Sequence, residues 1–297
     1  MTSTYKQLCI FLAIALLVGL TGCSGRPEPV YRDTSCLMRV SLMNISSDPF
    51  RAVASITPRL RDQILQKRQQ NADTMGWLIV PGTNINTVIV QNPPDRANSY
   101  YLKHNFSRQP DRDGAFCVDR RCTFGSGTRS ELSSITTIYG HSWDDNWNGE
   151  LFSQIKRYRD TDFARNHPYI YFSTSGEDMA WEVFAVFDTT VHVPYVWPEL
   201  PNDVYYQVLD VAYQSSLYNY GINITTNDKI LTLSTCTYTV GETALPQNAE
   251  NDYRFVVMAR LISPNEQIKA QASFTVNANP LSPDDLPVIL MPWQDEI

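Results

Sequence analysis

KILTLSTCTYTV, residues 229–240, begins as a strand and ends as something else. Ile230, Leu231 and Leu233 supply the aliphatic content of a segment bound for a core. From Ser234 the run turns polar, and Cys236 stands at the change. A cysteine there is either a small buried hydrophobe closing a strand or a thiol displayed at the strand's end, within reach of a substrate.

Seven further segments share this pattern of short apolar runs bounded by turn residues. They are GWLIV (76–80), TVIVQ (87–91), GAFCVD (114–119), ITTIYG (135–140), YIYF (169–172), MAWEVFAVFDTT (179–190) and YRFVVMARLI (253–262). Helical spacing interrupts them in three places. Val53, Ile56, Leu60, Ile64 and Leu65 recur at helical steps within 49–71, with a break expected at Pro58. Leu151, Phe152, Ile155 and Tyr158 mark a helix over 149–158. Val204, Val208, Leu209, Ala212 and Leu217 mark a longer one over 202–219, ahead of the seventh strand. Many strands with few helices predict a mainly β fold, a closed or nearly closed barrel with an N-terminal helix. This domain is expected over 49–263. The Pro-rich, acidic stretch 264–297 reads as a C-terminal extension.

The bulk numbers narrow the function. A net charge of −7 with no Lys/Arg cluster argues against nucleic acid as a partner. The apolar run LCIFLAIALLVGL, residues 8–20, follows a lone cation, Lys6. As a helix it spans only ~20 Å, short for a bilayer core of ~30 Å and suited to a secretory signal. It ends in LTGC, residues 20–23, which resembles a bacterial lipobox with Cys23 as the lipid-bearing residue. Residues 1–23 are therefore expected to be a lipoprotein-type signal and 24–48 a tether. That puts the domain on the outer face of the cytoplasmic membrane through its N-terminal anchor. The rival reading is an uncleaved signal-anchor.

Export changes how cysteines are read. Cys36, Cys117, Cys122 and Cys236 remain after the signal and Cys23. Cys117 and Cys122 in FCVDRRC are close enough to staple a hairpin, or they are two free thiols; the sequence leaves both open. No set of Cys and His has zinc spacing, so neither a metal nor a cofactor is expected.

Three polar residues stand at the ends of predicted strands: His141 after TTIYG, Cys236 after LTLST, and Arg254 opening RFVVMARLI. If those ends share one rim, they bring a thiol, an imidazole and a guanidinium together. LSTC followed by RFVV, with IYGH upstream, resembles the sortase family of cysteine transpeptidases, in the family's order His, Cys, Arg. NADTMGWLIVPGTNINTVIVQ (71–91), YYLKHNF (100–106), GAFCVD and ELFSQIKRYRDTDFARNHPYIYF (150–172) extend the likeness to class B over roughly residues 50–262. The resemblance implies a sortase-like closed eight-stranded barrel.

It also implies a mechanism. Cys236 attacks the carbonyl of a Thr in a C-terminal sorting signal of a surface protein. His141 protonates the leaving amine. An amine of peptidoglycan or its lipid precursor, lipid II, resolves the thioester, and Arg254 stabilises the oxyanion. Ser234 and Tyr139 match groove residues of class B; Thr235 and Thr237 flank the nucleophile, and the Thr237 N–H is a candidate oxyanion donor. For an isolated thiol of pKa ~8.5 and imidazole of ~6.5, about 3% and about 24% are charged at pH 7, so the ion pair is a minority form under ~1% unless tuned. A bell-shaped pH profile follows.

His104, His167 and His192 are competing bases; the first two lie in turn-like stretches, and His192 precedes Val193-Pro194 in a loop before the long helix, a candidate for the groove. Asp119 and Glu242 are carboxylates of open role, and Trp143 and Trp147 either shape the groove or pack a loop. An L,D-transpeptidase requires Gly before the cysteine and Arg two after it, where this chain has Thr235 and Tyr238. A non-catalytic wall-binding lipoprotein on the same barrel is the non-enzyme rival. Two features depart from class B: the lipobox, and the acidic tail beyond residue 265.

Overall fold

Each of the eight apolar runs forms one strand of a barrel. In chain order they are β1 (Thr74–Ile79), β2 (Asn86–Gln91), β3 (Cys117–Val118), β4 (Ile135–Tyr139), β5 (Tyr169–Thr174), β6 (Ala180–Thr190), β7 (Ile230–Cys236) and β8 (Tyr253–Leu261). The computed structural model describes residues 52–240, 243–244 and 252–292. The signal at 1–23 with Cys23, the tether at 24–48, Cys36 and Glu242 lie outside these described residues.

The strands close in the order β1-β2-β3-β4-β7-β8-β6-β5, with β5 returning to β1. Two neighbours are parallel, β2 with β3 and β4 with β7; the other six pairings are antiparallel. Alternation explains the core. Leu231 and Leu233 of β7 and Phe255, Val257 and Ala259 of β8 join Leu78, Ile89, Phe172 and Trp181 in one cluster. The intervening Ile230, Val256 and Met258 join a second. The β7–β8–β6 portion is thus buried on both faces, which is why these runs read as nearly continuous apolar segments rather than a strict alternation.

The second face is covered by the helix α3 (Asn202–Ser215), whose Val204, Val208, Leu209, Val211 and Ala212 are buried. Ile289 and Met291 join the same cluster. Residues 264–292 therefore run along the domain and contribute to its core. Their backbone bonds reach Val53, Arg165, Leu217 and Gln214, and Thr275–Val276 pairs with Tyr218–Asn219.

Two expected helices are corrected. The N-terminal one begins only after Leu60, as α1 (Arg61–Gln70), with a separate 3-10 turn at Val53–Ser55. Pro58 lies between the two. Ile64 is fully buried but Leu65, assigned to the same face, is 40% exposed. Neighbours in sequence are about 100° apart on a helix, and only one of the pair can face the barrel. The long helix ends at Ser215, not 219, because Ser216 turns its hydroxyl to the Tyr218 carbonyl (2.8 Å) and Tyr218–Asn219 joins a strand pair. The segment Leu151–Arg159 is a 3-10 helix, followed by α2 (Thr161–Asn166), which Asp160 caps by accepting from the Phe163 N–H at 2.7 Å.

Candidate active site

Topology brings the three chemistry-bearing residues to one rim. β4 and β7 are parallel, so both finish at the same end of the barrel, with Tyr139 opposite Ser234. β8 runs back antiparallel to β7, so it starts where β7 stops, and Arg254 pairs directly with Cys236. His141 follows β4 by two residues. A cleft of about 310 Å³ opens there, and His141, Cys236 and Arg254 all line it, with Tyr139, Ser234 and Thr235. Loop residues Asn98, Leu102, Val191 and Tyr195 complete its wall.

Cys236 is a free, half-buried thiol at the mouth. The His141 ring is oriented twice over. Its Nε2 lies 2.7 Å from the Leu102 carbonyl, and the ring stacks on Trp143 with centroids 4.7 Å apart. A carbonyl only accepts, so Nε2 is the donor in this contact and Nδ1 is the nitrogen left for other partners. Trp143 is itself held by its Nε1–H donating to Asp113 (2.8 Å) and by the Arg112 guanidinium over its face (4.5 Å). Arg254 is half-buried, with Nη1 donating to the Tyr253 carbonyl at 2.8 Å.

The groove residues are fixed by buried partners. Tyr139 donates its hydroxyl to Asp119 (2.7 Å), which also accepts from Asn98 (2.9 Å) and from the Arg121 fork (2.9 and 2.7 Å). Burial pushes the Asp119 carboxyl up, but Arg121, its own loop backbone and Tyr139 outweigh it and hold the group below the ordinary carboxylate range. Burial and then Asp119 raise Tyr139 well above the usual phenol value, so it stays a neutral hydroxyl. Ser234 Oγ lies 2.9 Å from the hydroxyl of Tyr195, a buried phenol pushed up to about 12 by desolvation. Thr235 donates to the Gly140 carbonyl (2.7 Å), pinning the segment that carries His141. Gly140 has no substitute there: a Cβ would stand 2.6 Å from Phe116 and 2.7 Å from Phe152.

Thr237 is a correction. Its N–H donates to the Tyr253 carbonyl (3.3 Å) and its hydroxyl to Asp145 (3.1 Å), while Arg159 reaches the same hydroxyl at 3.3 Å. The residue is fully buried beneath the cleft, so its amide is spent on the strand ladder and not on an oxyanion. The other histidines lie elsewhere. His104 stacks on Tyr100, His167 ends α2 with Nδ1 at the Phe163 carbonyl, and His192 is exposed, 3.7 Å from Asp252. Cys117 and Cys122 are free and buried, and burial pushes both thiols up to about 12. Burial thus disfavours the thiolate form of both. Among the described residues no group of three His, Cys, Asp or Glu could hold a metal ion, and no helix is long and apolar enough to cross a membrane.

Sequence reasoning missed Tyr195, Asn98 and Leu102, which reach the cleft from loops with no strand-end signal. It also missed Asp145 and Lys156, which lie beneath the cleft. Asp119, a carboxylate of open role in the sequence, holds Tyr139, and Trp143, read there as shaping the groove or packing a loop, stacks on His141.

The Sortase domain profile matches residues 78–262. A Sortase B of Listeria monocytogenes is 30% identical over 216 residues, which cover 71% of this chain and 79% of that one. A Staphylococcus aureus sortase B–substrate complex matches with TM-score 0.56 and 28% identity, over 68% of this chain and 85% of that one. A sortase B complexed with triglycine matches with TM-score 0.57 and 27% identity, over 71% and 90%.

Proposed function

This chain belongs to the sortase family, class B, and on that premise we propose that it is a cysteine transpeptidase with Cys236 as nucleophile. One observation carries the assignment of roles. Cys236 and Arg254 are register partners on adjacent strands, and His141 lines the same cleft.

The Cys236 thiolate attacks the carbonyl carbon of a Thr in a C-terminal sorting signal, and the C=O electrons move onto oxygen. Arg254, the charged donor beside the sulfur, stabilises that oxyanion, a role worth ~3–4 kcal/mol in such sites. Collapse breaks the C–N bond, and the imidazolium of His141 delivers its Nδ1 proton to the departing amine; general acid help of this kind is worth ~10²–10⁴-fold. The thioester then meets a second amine. Its attack forms the new amide, His141 takes the proton, and the sulfur leaves. Neutral hydroxyls of Tyr139 and Tyr195, with Val191 and Val196, offer an uncharged wall for the signal peptide. That a relative was solved with substrate and another with triglycine supports peptide donors and amine acceptors as the two ligand classes.

A lipid on Cys23 fits presentation on the outer face of the cytoplasmic membrane, where surface proteins and peptidoglycan amines or lipid II meet. Mass spectrometry after radiolabelled-lipid incorporation tests this, and an unmodified Cys23 retained with its signal would count against it.

The decisive experiment offers the protein a panel of C-terminal sorting peptides together with amine acceptors. The expected result is an acyl adduct on Cys236, discharged by amine into a new amide. Acylation at another residue, or turnover that survives Cys236→Ala, would remove the assignment.

A further inference from the structure

Beneath the cleft lies a charged group that the chemistry above does not use. The Lys156 side chain is wholly inaccessible to solvent, and its partner Asp145 is 18% exposed. Burying an ammonium is costly unless every proton finds an acceptor. Lys156 meets that condition: its three donors go to the Ser142 hydroxyl (2.7 Å), the Asp144 carbonyl (2.7 Å) and the Asp145 carboxylate. All three belong to the loop that follows His141.

The Asp145 carboxylate faces the other way as well. It accepts from the Tyr238 N–H (2.8 Å), the Thr239 hydroxyl (2.6 Å) and the Thr237 hydroxyl (3.1 Å). Those three belong to the loop that follows Cys236. The Tyr238 hydroxyl adds a fourth tie, donating to the Ser142 carbonyl at 2.9 Å. The Arg159–Asp188 pair (2.7 Å) closes the floor beneath Thr237. The segments leaving the base and the nucleophile are therefore laced together through one carboxylate and one ammonium. Each end of the lacing is one to four residues from a reacting side chain.

We infer that Asp145, anchored by the buried Lys156, is a positioning residue of the reaction: it fixes the separation of the His141 ring and the Cys236 sulfur by tying their loops to each other. Neither residue lines the cleft. The barrel ladder sets where β4 and β7 end, but His141 lies beyond the end of β4 and Cys236 is the last residue of β7, so the loops that follow also bear on how the two side chains stand. The inference rests on the roles proposed above for His141 and Cys236. A tie between the two loops gives a fully buried lysine at this floor a reason to be there, since an apolar residue of similar volume is ordinarily no worse for stability. Positional error of the order of 1 Å in such a pair costs roughly 10²-fold in rate.

The test uses single hydroxyl deletions on either side of the lacing, because Lys156→Met and Asp145→Asn risk disturbing the fold. Ser142→Ala removes a tie on the histidine side, and Thr239→Val removes one on the cysteine side. Each is expected to lower kcat by about 5- to 20-fold with KM within about twofold. The double variant should fall no further than the worse single, because both deletions loosen one device. A second readout needs no sorting peptide: alkylation of Cys236 by iodoacetamide at pH 7 should slow at least threefold in each variant. Lys156→Arg, keeping the charge, should recover more of kcat than Lys156→Met. Multiplicative effects on kcat, or alkylation unchanged in both single variants, would overturn the inference. So would a kcat loss that vanishes when each variant is assayed well below its own melting range. If the wild-type chain shows no transpeptidation at all, the functional proposal falls, while the alkylation series still decides whether the lacing positions the thiol.

Discussion

Strand β8 carries an arginine near each end, and the two have opposite surroundings. Arg260 pairs across the ladder with Ile230 and Glu182. Its guanidinium is gripped by the buried Glu182 (2.5 Å) and by Glu266 (2.5 Å), and Lys269 also reaches Glu182. Its charge is consumed in fastening residues 264–269 to the barrel. Arg254, six residues earlier and roughly 20 Å along the strand, pairs with Cys236 and stands in the wall of the cleft. The same residue type fastens the chain where Glu182 and Glu266 grip it and lines a cleft beside a thiol at the other end of the strand. Residue type does not distinguish them; strand register and loop content do.

The sharpest way to break this contrast is at its reference point. Cys236→Ala should abolish acyl-enzyme formation, with loss of turnover of ~10⁴-fold or more, and leave the melting temperature within about 2 °C of the parent. A retained acyl adduct would dissolve the meaning of the mouth end altogether. Next comes Arg254→Ala, for which kcat/KM should fall by ~10²–10³ while stability scarcely moves. Arg260→Met should do the reverse. Turnover should stay within about threefold, while a buried Glu182 deprived of one partner lowers stability by ~2–4 kcal/mol, or about 5–10 °C in Tm for a domain this size. Calorimetry beside steady-state kinetics reads both; equal phenotypes in the two variants would erase the distinction.

A smaller effect is expected at Asp119, the carboxylate behind Tyr139. Its folded pKa is depressed below its unfolded value. Its contribution is therefore complete above the ordinary carboxylate range near ~3.9 and is lost as pH falls through the lower folded value. Asp119→Asn should flatten the fall in denaturant midpoint below about pH 4, and an unchanged acid limb would mean other groups carry it. Smallest of all is His192→Ala. That ring is exposed beside Asp252, and removing it should move Tm by less than ~1 °C and leave turnover unaltered.

The barrel was legible because eight segments concentrate β-branched and aromatic residues between turn signals, and each became one strand. The rim residues were legible because a strand's end is where a polar residue interrupts such a run: His141, Cys236 and Arg254 all obey that rule. What escaped depends on contacts distant in the chain. Tyr195 is one tyrosine among many until its hydroxyl is seen at Ser234, 39 positions away. Lys156 belongs to IKRYR, where its neighbours Arg157 and Arg159 suggest a solvated face. The 3-10 winding of that segment instead turns it inward, onto a carboxylate 11 residues earlier. The Thr237 amide was read as an available donor because a sequence shows every N–H alike, and only register reveals that Tyr253 already claims it. Leu65 failed for a simpler reason: it is adjacent to Ile64, about 100° around the same helix, and Ile64 takes the barrel-facing position.

The N-terminal edge of the domain has a practical meaning. Ala52 bridges to Gln267, and Val53 and Ala54 donate to the carbonyls of Glu266 and Pro264 (2.8 and 2.9 Å). That corner adjoins the finish of β8, whereas the thiol stands at its start. An attachment made at residue 52 therefore sits at the end of the barrel away from the thiol. Resin linkers, fluorophores or carrier domains grafted at that corner are accordingly compatible with bulky macromolecular donors, while the same cargo placed between β7 and β8 would crowd them out.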